Sequence, residues 1–443
     1  MTWLQRYRLS SYVRTSLWFL PALGMILALL AVRLLHGIEL AMGWQVDLDP
    51  SSTMTILGTL ASSMFTLIVF VSSALLITVQ LASGQLTPRI IGLVFQNRVT
   101  KLSLTLFVFV FTFTLAALGR IKEGVPPLTG YVAVYGSLVS LGVFLYLVDS
   151  VCRALRPTGA LGLAVRLGRE VIEHVYPQRL SEWHGTAPPP AEVLDGEPRC
   201  TVPNLKEGVV LAVDLKGLVS MARRADCVIE LVPQVGDFVA ADQPLFRIFG
   251  DGALPPAAAL YQSVAVGAER TLEQDPAFAF RIMVDIASKG LSRAINDPTT
   301  AVLAIDQIQY LLRHLGGRHL EEGQVRDAQG AVRLLYRVPD WSDFISLAVT
   351  EVRQFGGTSI QVARRLRAML QDLIQILPEG RAAVLRQELD LLDRSAKRFF
   401  VEAEDQAMAD VSDLQGVGGR QAMNDKRMDI RPAPKNDSFV PMT

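Results

Sequence analysis

Residues 55–82 read TILGTLASSMFTLIVFVSSALLITVQLA, an unbroken apolar run without a charged side chain. A helix rises about 1.5 Å per residue and bilayer hydrocarbon is about 30 Å thick, so roughly 20 such residues suffice to cross it. This run exceeds that length and predicts a membrane helix that tilts or projects beyond the bilayer. Outward from it, three more runs meet the criterion, at about 17–35, 102–118 and 131–151. Basic residues precede the first run, as in a signal peptide. It is too long for a signal h-region and three more runs follow, so it reads as a retained helix. Residues 1–155 are therefore expected to form a four-helix transmembrane domain.

Composition agrees. The 443 residues are 50% hydrophobic and 19% charged, against about a quarter charged in soluble domains. Lysine plus arginine and aspartate plus glutamate number 43 each, a balance that argues against a nucleic-acid partner. Cys152, Cys200 and Cys227 lie far apart with no CxxC pattern, so neither a disulfide framework nor a zinc site is expected. They read as reduced thiols. No metal and no cofactor is expected.

Arg6, Arg8 and Arg14 precede the first run, Arg89, Arg98 and Lys101 lie between the second and third, and Arg153, Arg156, Arg166 and Arg169 follow the fourth. The loop after the first run carries Glu39, Asp47 and Asp49, with Arg33 at its edge, and the loop after the third carries Arg120, Lys122 and Glu123. The positive-inside rule then puts both termini in the cytoplasm. Thr87-Pro88 has the form of a helix start, and residues 88–97 suggest a short interfacial helix.

Within the quoted run, Thr55, Thr59, Ser62, Thr66, Ser73 and Gln80 recur at steps of three, four or seven, which places them on one helix face. Two readings stand: small hydroxylated residues allow close helix packing, and the same stripe would line a water-filled path in an oligomer. Asp149, near the end of the fourth run, is expected at the membrane interface.

The remainder predicts an α+β cytoplasmic domain, so the fold class is mainly α: polytopic transmembrane helices followed by α+β. Residues 156–200 are expected to hold an amphipathic helix, continuing the fourth run from Arg153 to about Tyr176, and a linker centred on Ala187-Pro188-Pro189-Pro190. Residues 201–255 predict a small β-containing subdomain: strands at Val209–Leu215 and Cys227–Val232, a helix at Leu218–Ala225, and a turn at Val235-Gly236-Asp237 into a third strand ending at Ile248. Residues 256–412 read as a helical domain. Asp275-Pro276 and Asp297-Pro298 each look like a helix cap followed by proline at the first helical position. Gly356-Gly357 closes a helix and Thr358 or Ser359 opens the next, with Val362, Leu366, Met369 and Leu373 facing inward and Arg364, Arg365 and Arg367 facing water. A last helix is expected from about Gly380 to Asp410, and residues 413–443 as a disordered tail.

GAERTLEQDP at 267–276, VDIASKGLSRAINDPTTA at 284–301, QLASGQLTPR at 80–89 and the Gly236-Asp237-Phe238-Val239 turn together resemble a large bacterial family of predicted membrane proteins with a domain of unknown function. The resemblance extends to about Asp410. It implies a bacterial inner-membrane protein with a cytoplasmic C-terminal domain and no particular activity. Arg293 and Asp242 stand where proline and glycine are expected of relatives, which puts a tight turn at those places in doubt.

Arg270, Gln274, Asp275, Asp285, Asn296 and Asp297 form the candidate site. As structure, Asp275 and Asp297 cap helices and Arg270 pairs with Asp285; as function, the set lines a ligand or ion site. No histidine accompanies these carboxylates, since His174, His184, His314 and His319 lie elsewhere, and neither a GxxxxGK loop nor a nucleophile elbow occurs. The chain is therefore not expected to be an enzyme. The leading expectation is a homo-oligomeric, channel-like or transport protein with a cytoplasmic regulatory domain, its partners the lipid bilayer and a small ligand or ion. The alternative is a membrane-anchored ligand sensor or scaffold without transport.

Overall fold

The computed structural model describes residues 1–42, 49–85, 87–89, 97–121, 127–183, 196–320 and 322–419. A short helix α1 (Trp3–Thr15) precedes α2 (Phe19–Met42), α3 (Pro50–Gln85), α4 (Arg98–Leu118) and α5 (Pro127–Leu155). Among the described residues these last four are the helices long and apolar enough to cross a membrane. Each runs past its apolar stretch, because backbone hydrogen bonding does not stop at the first polar side chain. Capping sets the true starts: Asp49 accepts from Ser52 N at 3.0 Å ahead of α3, and Asn97 from Val99 N at 3.0 Å ahead of α4. The short helix expected at 88–97 falls mostly outside the described residues, as does the proline-rich linker.

Helix α4 is the centre of the bundle and packs on α2, α3 and α5. Phe107, Val110, Phe113 and Ala117 are buried along it. At Gly24 of α2 a Cβ would stand 2.9 Å from Thr105 Cγ2, so only glycine allows this approach of α2 to α4. The buried Lys101 reaches back from α4: its Nζ donates to Val13 O at 3.2 Å and to Arg14 O, satisfying the last carbonyls of α1.

The fourth span does not continue as one helix. It breaks at Arg156, whose ψ is 141°, and Pro157 opens α6 (Pro157–Val175) at its first helical position. Proline excludes the helical conformation from the residue before it, and this overrides the amphipathic periodicity that suggested continuity.

Beyond α6 the strands are β1 (Cys200–Pro203), β2 (Gly208–Val213), β3 (Val228–Leu231), β4 (Phe238–Val239), β5 (Pro244–Phe249), β6 (Val264–Gly267), β7 (Gln324–Arg326) and β8 (Val332–Tyr336). They form a five-stranded sheet, β1-β5-β3-β8-β7, and a three-stranded sheet, β4-β2-β6. Helix α7 (Leu215–Ala225) is capped by Asp214, which accepts from Gly217 N, and α8 (Ala257–Tyr261) leads into β6. The β-subdomain is thus larger than residues 201–255. The β7–β8 hairpin returns from within the segment expected to be helical and pairs in parallel with β3, Ile229 opposite Leu334. Such a pairing links residues a hundred positions apart and leaves no local mark.

The helical part comprises α9 (Pro276–Gly290), α10 (Pro298–Gly316), α11 (Trp341–Ile345), a π-helical turn (Ser346–Thr350), α12 (Glu351–Phe355), α13 (Ile360–Ile376), α14 (Glu379–Phe399) and α15 (Ala403–Ala409). The last expected helix is therefore two, separated at Phe400–Glu402. Phe280, Ile305, Phe344 and Leu366 lie at the core, with α6 packed on α9 and α10. Gly168 meets Ala279 closely enough that a Cβ would come within 2.7 Å of its methyl.

Arg364, Arg365 and Arg367 are buried, not water-facing. Arg364 Nε donates to Val411 O at 3.1 Å and its Nη1 to Gly419 O at 3.0 Å; Arg365 pairs with Asp306 at 2.6 Å; Arg367 Nε donates to Ala409 O at 3.0 Å. The chain after α15 folds back over this face. Residues 413–419 accordingly are not disordered: buried Asp413 accepts from the backbone N–H groups of Gln415, Gly416 and Gly418 at 2.7–3.0 Å.

Candidate functional site

The segment from Arg270 to Asp275 is a hub for three parts of the molecule. Asp275 caps α9, accepting from Phe278 N at 3.1 Å, and pairs with Arg270. Burial pushes the Asp275 carboxyl above its usual range, against the opposite pull of Arg270 and the helix N–H groups. Arg270 lies 5.7 Å from the centre of the Phe278 ring and against Gly236, where any Cβ would sit within 2.7 Å of the guanidinium. Gly236 also has φ +96°, so both the turn and the contact require glycine. Gln274 pairs with the β2 backbone, accepting from Val213 N at 2.9 Å and donating to Val213 O at 3.4 Å. Glu273 faces α1, 3.9 Å from Arg14; burial, and after it Glu273, holds the Tyr7 phenol well above its ordinary pKa.

Beside this hub lies a cavity of ≈ 460 Å³. Trp3 of α1, Tyr176 at the end of α6, Leu215 and Lys216 of α7, Gln274 and Asp275, and the residues after β8 all border it. It therefore sits where the pre-membrane helix, the β-subdomain and the helical domain meet.

A second polar cluster lies further along α9. Asp285 accepts from Arg281 Nε at 2.7 Å and pairs with Arg89, which follows α3. Arg281 also holds Glu351 in a two-pronged pair at 2.6 and 2.7 Å. That pair keeps the Glu351 carboxyl below its ordinary value. Glu351 comes directly after the π turn, which displaces one helical position and presents it to α9. Burial and the neighbouring Arg281 and Arg270 guanidiniums pull Arg89 down from its ordinary value. Lys289 Nζ donates to Ser83 O at 2.9 Å, a second contact to the end of α3.

The candidate residues thus separate into three places. Arg270, Gln274 and Asp275 meet at the cavity. Asp285 does not pair with Arg270; it belongs to the junction with α3, while Arg270 is taken by Asp275 five residues on. Asn296 and Asp297 form the turn between α9 and α10. Asn296 adopts the left-handed region at φ 49°, and Asp297 caps α10, accepting from Thr300 N at 3.1 Å. Asp242 also turns left-handed, at φ 65°, so the tight turn persists without glycine. Arg281 and Glu351 were missed, although Arg281 and Asp285 have the i, i+4 spacing of a helical ion pair.

Thr55, Thr59, Ser62, Thr66, Ser73 and Gln80 all lie on the outer surface of α3, while Leu57, Ala61, Met64 and Val71 face α4 and α5. Among the described residues, nothing packs over the stripe. Thr55, Thr59 and Thr66 donate to the carbonyls four residues back at 2.8–3.0 Å, so their hydroxyls are satisfied in the helix itself. Asp149 pairs with Arg153 at an exposed position near the end of α5.

A family model described as "Predicted membrane protein (DUF2254)" matches residues 14–372. The chain belongs to this family. Within DUF2254 the match takes in the four apolar helices, the Arg270–Asp275 hub and the Arg89–Asp285 junction. The chain is also similar to proteins of Mycobacterium bovis and Mycobacterium tuberculosis, each described as uncharacterized, at 26% identity over 427 residues, covering 91% of this chain and 80% of theirs. No solved structure gives a significant match.

Proposed function

We propose that this DUF2254 protein is a ligand-responsive device of the bacterial inner membrane, with both termini and the C-terminal domain in the cytoplasm, acting by binding and coupling and not by catalysis. The observation that carries the reading is the placement of α9. Its capping residue Asp275 borders the cavity, and Asp285 and Lys289, three to four turns on, grip the end of α3 through Arg89 and Ser83. A packed helix of this length moves as a unit, so occupancy at its first turn bears on α3 at its last.

The test needs no known ligand. Val338→Trp fills part of the cavity. In lipid nanodiscs it should change amide hydrogen exchange over residues 80–89, and adding Asp285→Asn should weaken that effect, leaving only the Lys289–Ser83 contact to carry it. Exchange over 80–89 that ignores the cavity-filling variant would sink the coupling.

A second reading, transport, has one observation in its favour: the hydroxylated face of α3 is left uncovered by the described residues. In a symmetric homo-oligomer this face would meet its copies and line a path. Liposomes carrying the protein should then show ion flux that falls with Ser62→Phe and Thr66→Phe. Absence of flux across voltage, tension and pH removes this reading and leaves the first intact.

A further inference from the structure

We infer that the cavity at the first turn of α9 takes an amphipathic organic anion, a single acidic head group on an apolar body; this deepens the ligand-site reading above and rests on it. At ≈ 460 Å³ the cavity lies within the roughly 300–1,000 Å³ typical of small-molecule sites. Its walls are chiefly apolar and aromatic, with Trp3, Leu215, Val235, Pro276 and Val338 among them. An apolar body entering it removes such surface from water, the main driving force for binding there.

Charge decides the head group. The two carboxylates of the wall are engaged: Asp214 accepts from Gly217 N at 3.0 Å, and Asp275 accepts from Phe278 N and pairs with Arg270. Gln274 is occupied by Val213. Arg270 neutralises Asp275, while Asp214 keeps its charge and is turned to the start of α7; among the described wall residues two cations, Lys216 and Arg337, face that single carboxylate. Lys216 borders the cavity, is exposed, and has no ion pair among the described residues. Arg337 has Asp237 at 3.8 Å, a carboxylate that already accepts from Gln234 N at 2.9 Å. An acidic head group gains charge-assisted hydrogen bonds from both; an ammonium head group meets two like charges against the one carboxylate of Asp214, which already accepts from Gly217 N. Trp3 belongs to the helix just ahead of the first membrane helix, so a fatty acid leaving the bilayer and a water-borne aromatic acid would satisfy the same chemistry.

The experiment is calorimetric titration of the full-length protein in zwitterionic nanodiscs, with empty nanodiscs subtracted. The probes are dodecanoate and indole-3-acetate, with dodecylamine and tryptamine as their cationic counterparts. One or both anions should bind saturably and the amines should not. Dodecanoate alone points to a membrane source, indole-3-acetate alone to a soluble one. Lys216→Glu with Arg337→Glu should weaken the anion roughly tenfold or more; both side chains are exposed, so folding is preserved. Val338→Trp should abolish binding. Amines that bind as well as the anions, or anion binding that survives both variants, would overturn the inference. If no probe of either charge binds while Val338→Trp still alters exchange over 80–89, the anion is wrong and the coupling stands. If that variant is silent as well, both fall.

Discussion

Asp285 of α9 receives Arg89 from beyond the end of α3 while accepting from Arg281 Nε at 2.7 Å on its own helix. One carboxylate thereby joins the membrane bundle to the C-terminal domain, and Glu351 holds Arg281 in place from a third direction. The order of the chain, Arg281–Glu351 on one side and Arg89 on the other, makes Asp285 the shared member of the network.

A double-mutant cycle on Arg89→Gln and Asp285→Asn measures that joint. Arg89 is half-exposed, its side chain at 47%, so solvent screening limits the pairwise coupling to about 1 kcal/mol. Asp285→Asn alone should cost more than Arg89→Gln alone, because it also withdraws a partner from Arg281. Thermal unfolding of the nanodisc-embedded variants reads both. A coupling indistinguishable from zero would show that the pair does not join the two parts.

The same network predicts a dependence on pH. Glu351 sits below its ordinary 4.5, chiefly through its hydrogen bonds to Arg281, with burial opposing. The folded protein then binds this proton less tightly than the unfolded one, so the contribution is complete above pH 4.5 and is lost as pH falls through the folded value. Its side chain is 42% exposed, so the loss stays within about 1 kcal/mol. Asp275 has the opposite sign: burial raises it, so its contribution improves as pH falls through its folded value towards 3.8. Glu351→Gln should therefore flatten the acid decline in unfolding temperature, and an unchanged profile would contradict the assignment.

The parts of this structure that were legible are those set by local chemistry. Helix length and apolarity gave the four membrane helices, and Asp-Pro gave the caps at Asp275 and Asp297, because a cap is decided within four residues. What was not legible needed a distant partner. Helical periodicity put Val362 and Leu366 inward, and the face bearing Arg364, Arg365 and Arg367 read as solvated because nothing near it announces the return of residues 411–419. The outward position of Thr59 and Thr66 likewise depends on which face of α3 meets α4, and both faces are apolar enough for either. Arg270 had carboxylates at Asp275 and Asp285 within reach in sequence. The Gly236 turn, which holds its guanidinium beside Asp275, lies more than 30 residues away.

Arg364 makes a prediction of its own. It is 1% exposed and donates to Val411 O, Gly418 O and Gly419 O. Arg364→Ala strips those carbonyls of their donor and leaves a void, at a cost of about 2–3 kcal/mol. Residues 411–419 should become protease-sensitive before the rest of the domain unfolds, and Arg364→Lys should restore only part of the protection, since an ammonium cannot span the same three acceptors. Uniform loss of stability with no selective cleavage there would show that the arginine supports the domain as a whole and not the returning chain.

Lys101 tests how the cavity depends on the membrane bundle. Its ammonium satisfies the carbonyls of Val13 and Arg14, and α1, so anchored, supplies Trp3 to the cavity wall. Lys101→Met keeps the length and apolar stem of the side chain but removes the donors, leaving the end of α1 uncapped at a cost of about 1–2 kcal/mol. Amide exchange over residues 3–15 should accelerate while residues 80–89 stay as protected as in the wild type, because the Arg89–Asp285 joint does not pass through α1. Trp3 should become more accessible to an aqueous quencher in the same variant. Joint loosening of both segments would mean that α1 and the end of α3 move as one body, and the cavity would then answer to the bundle through α1 as well as through α9.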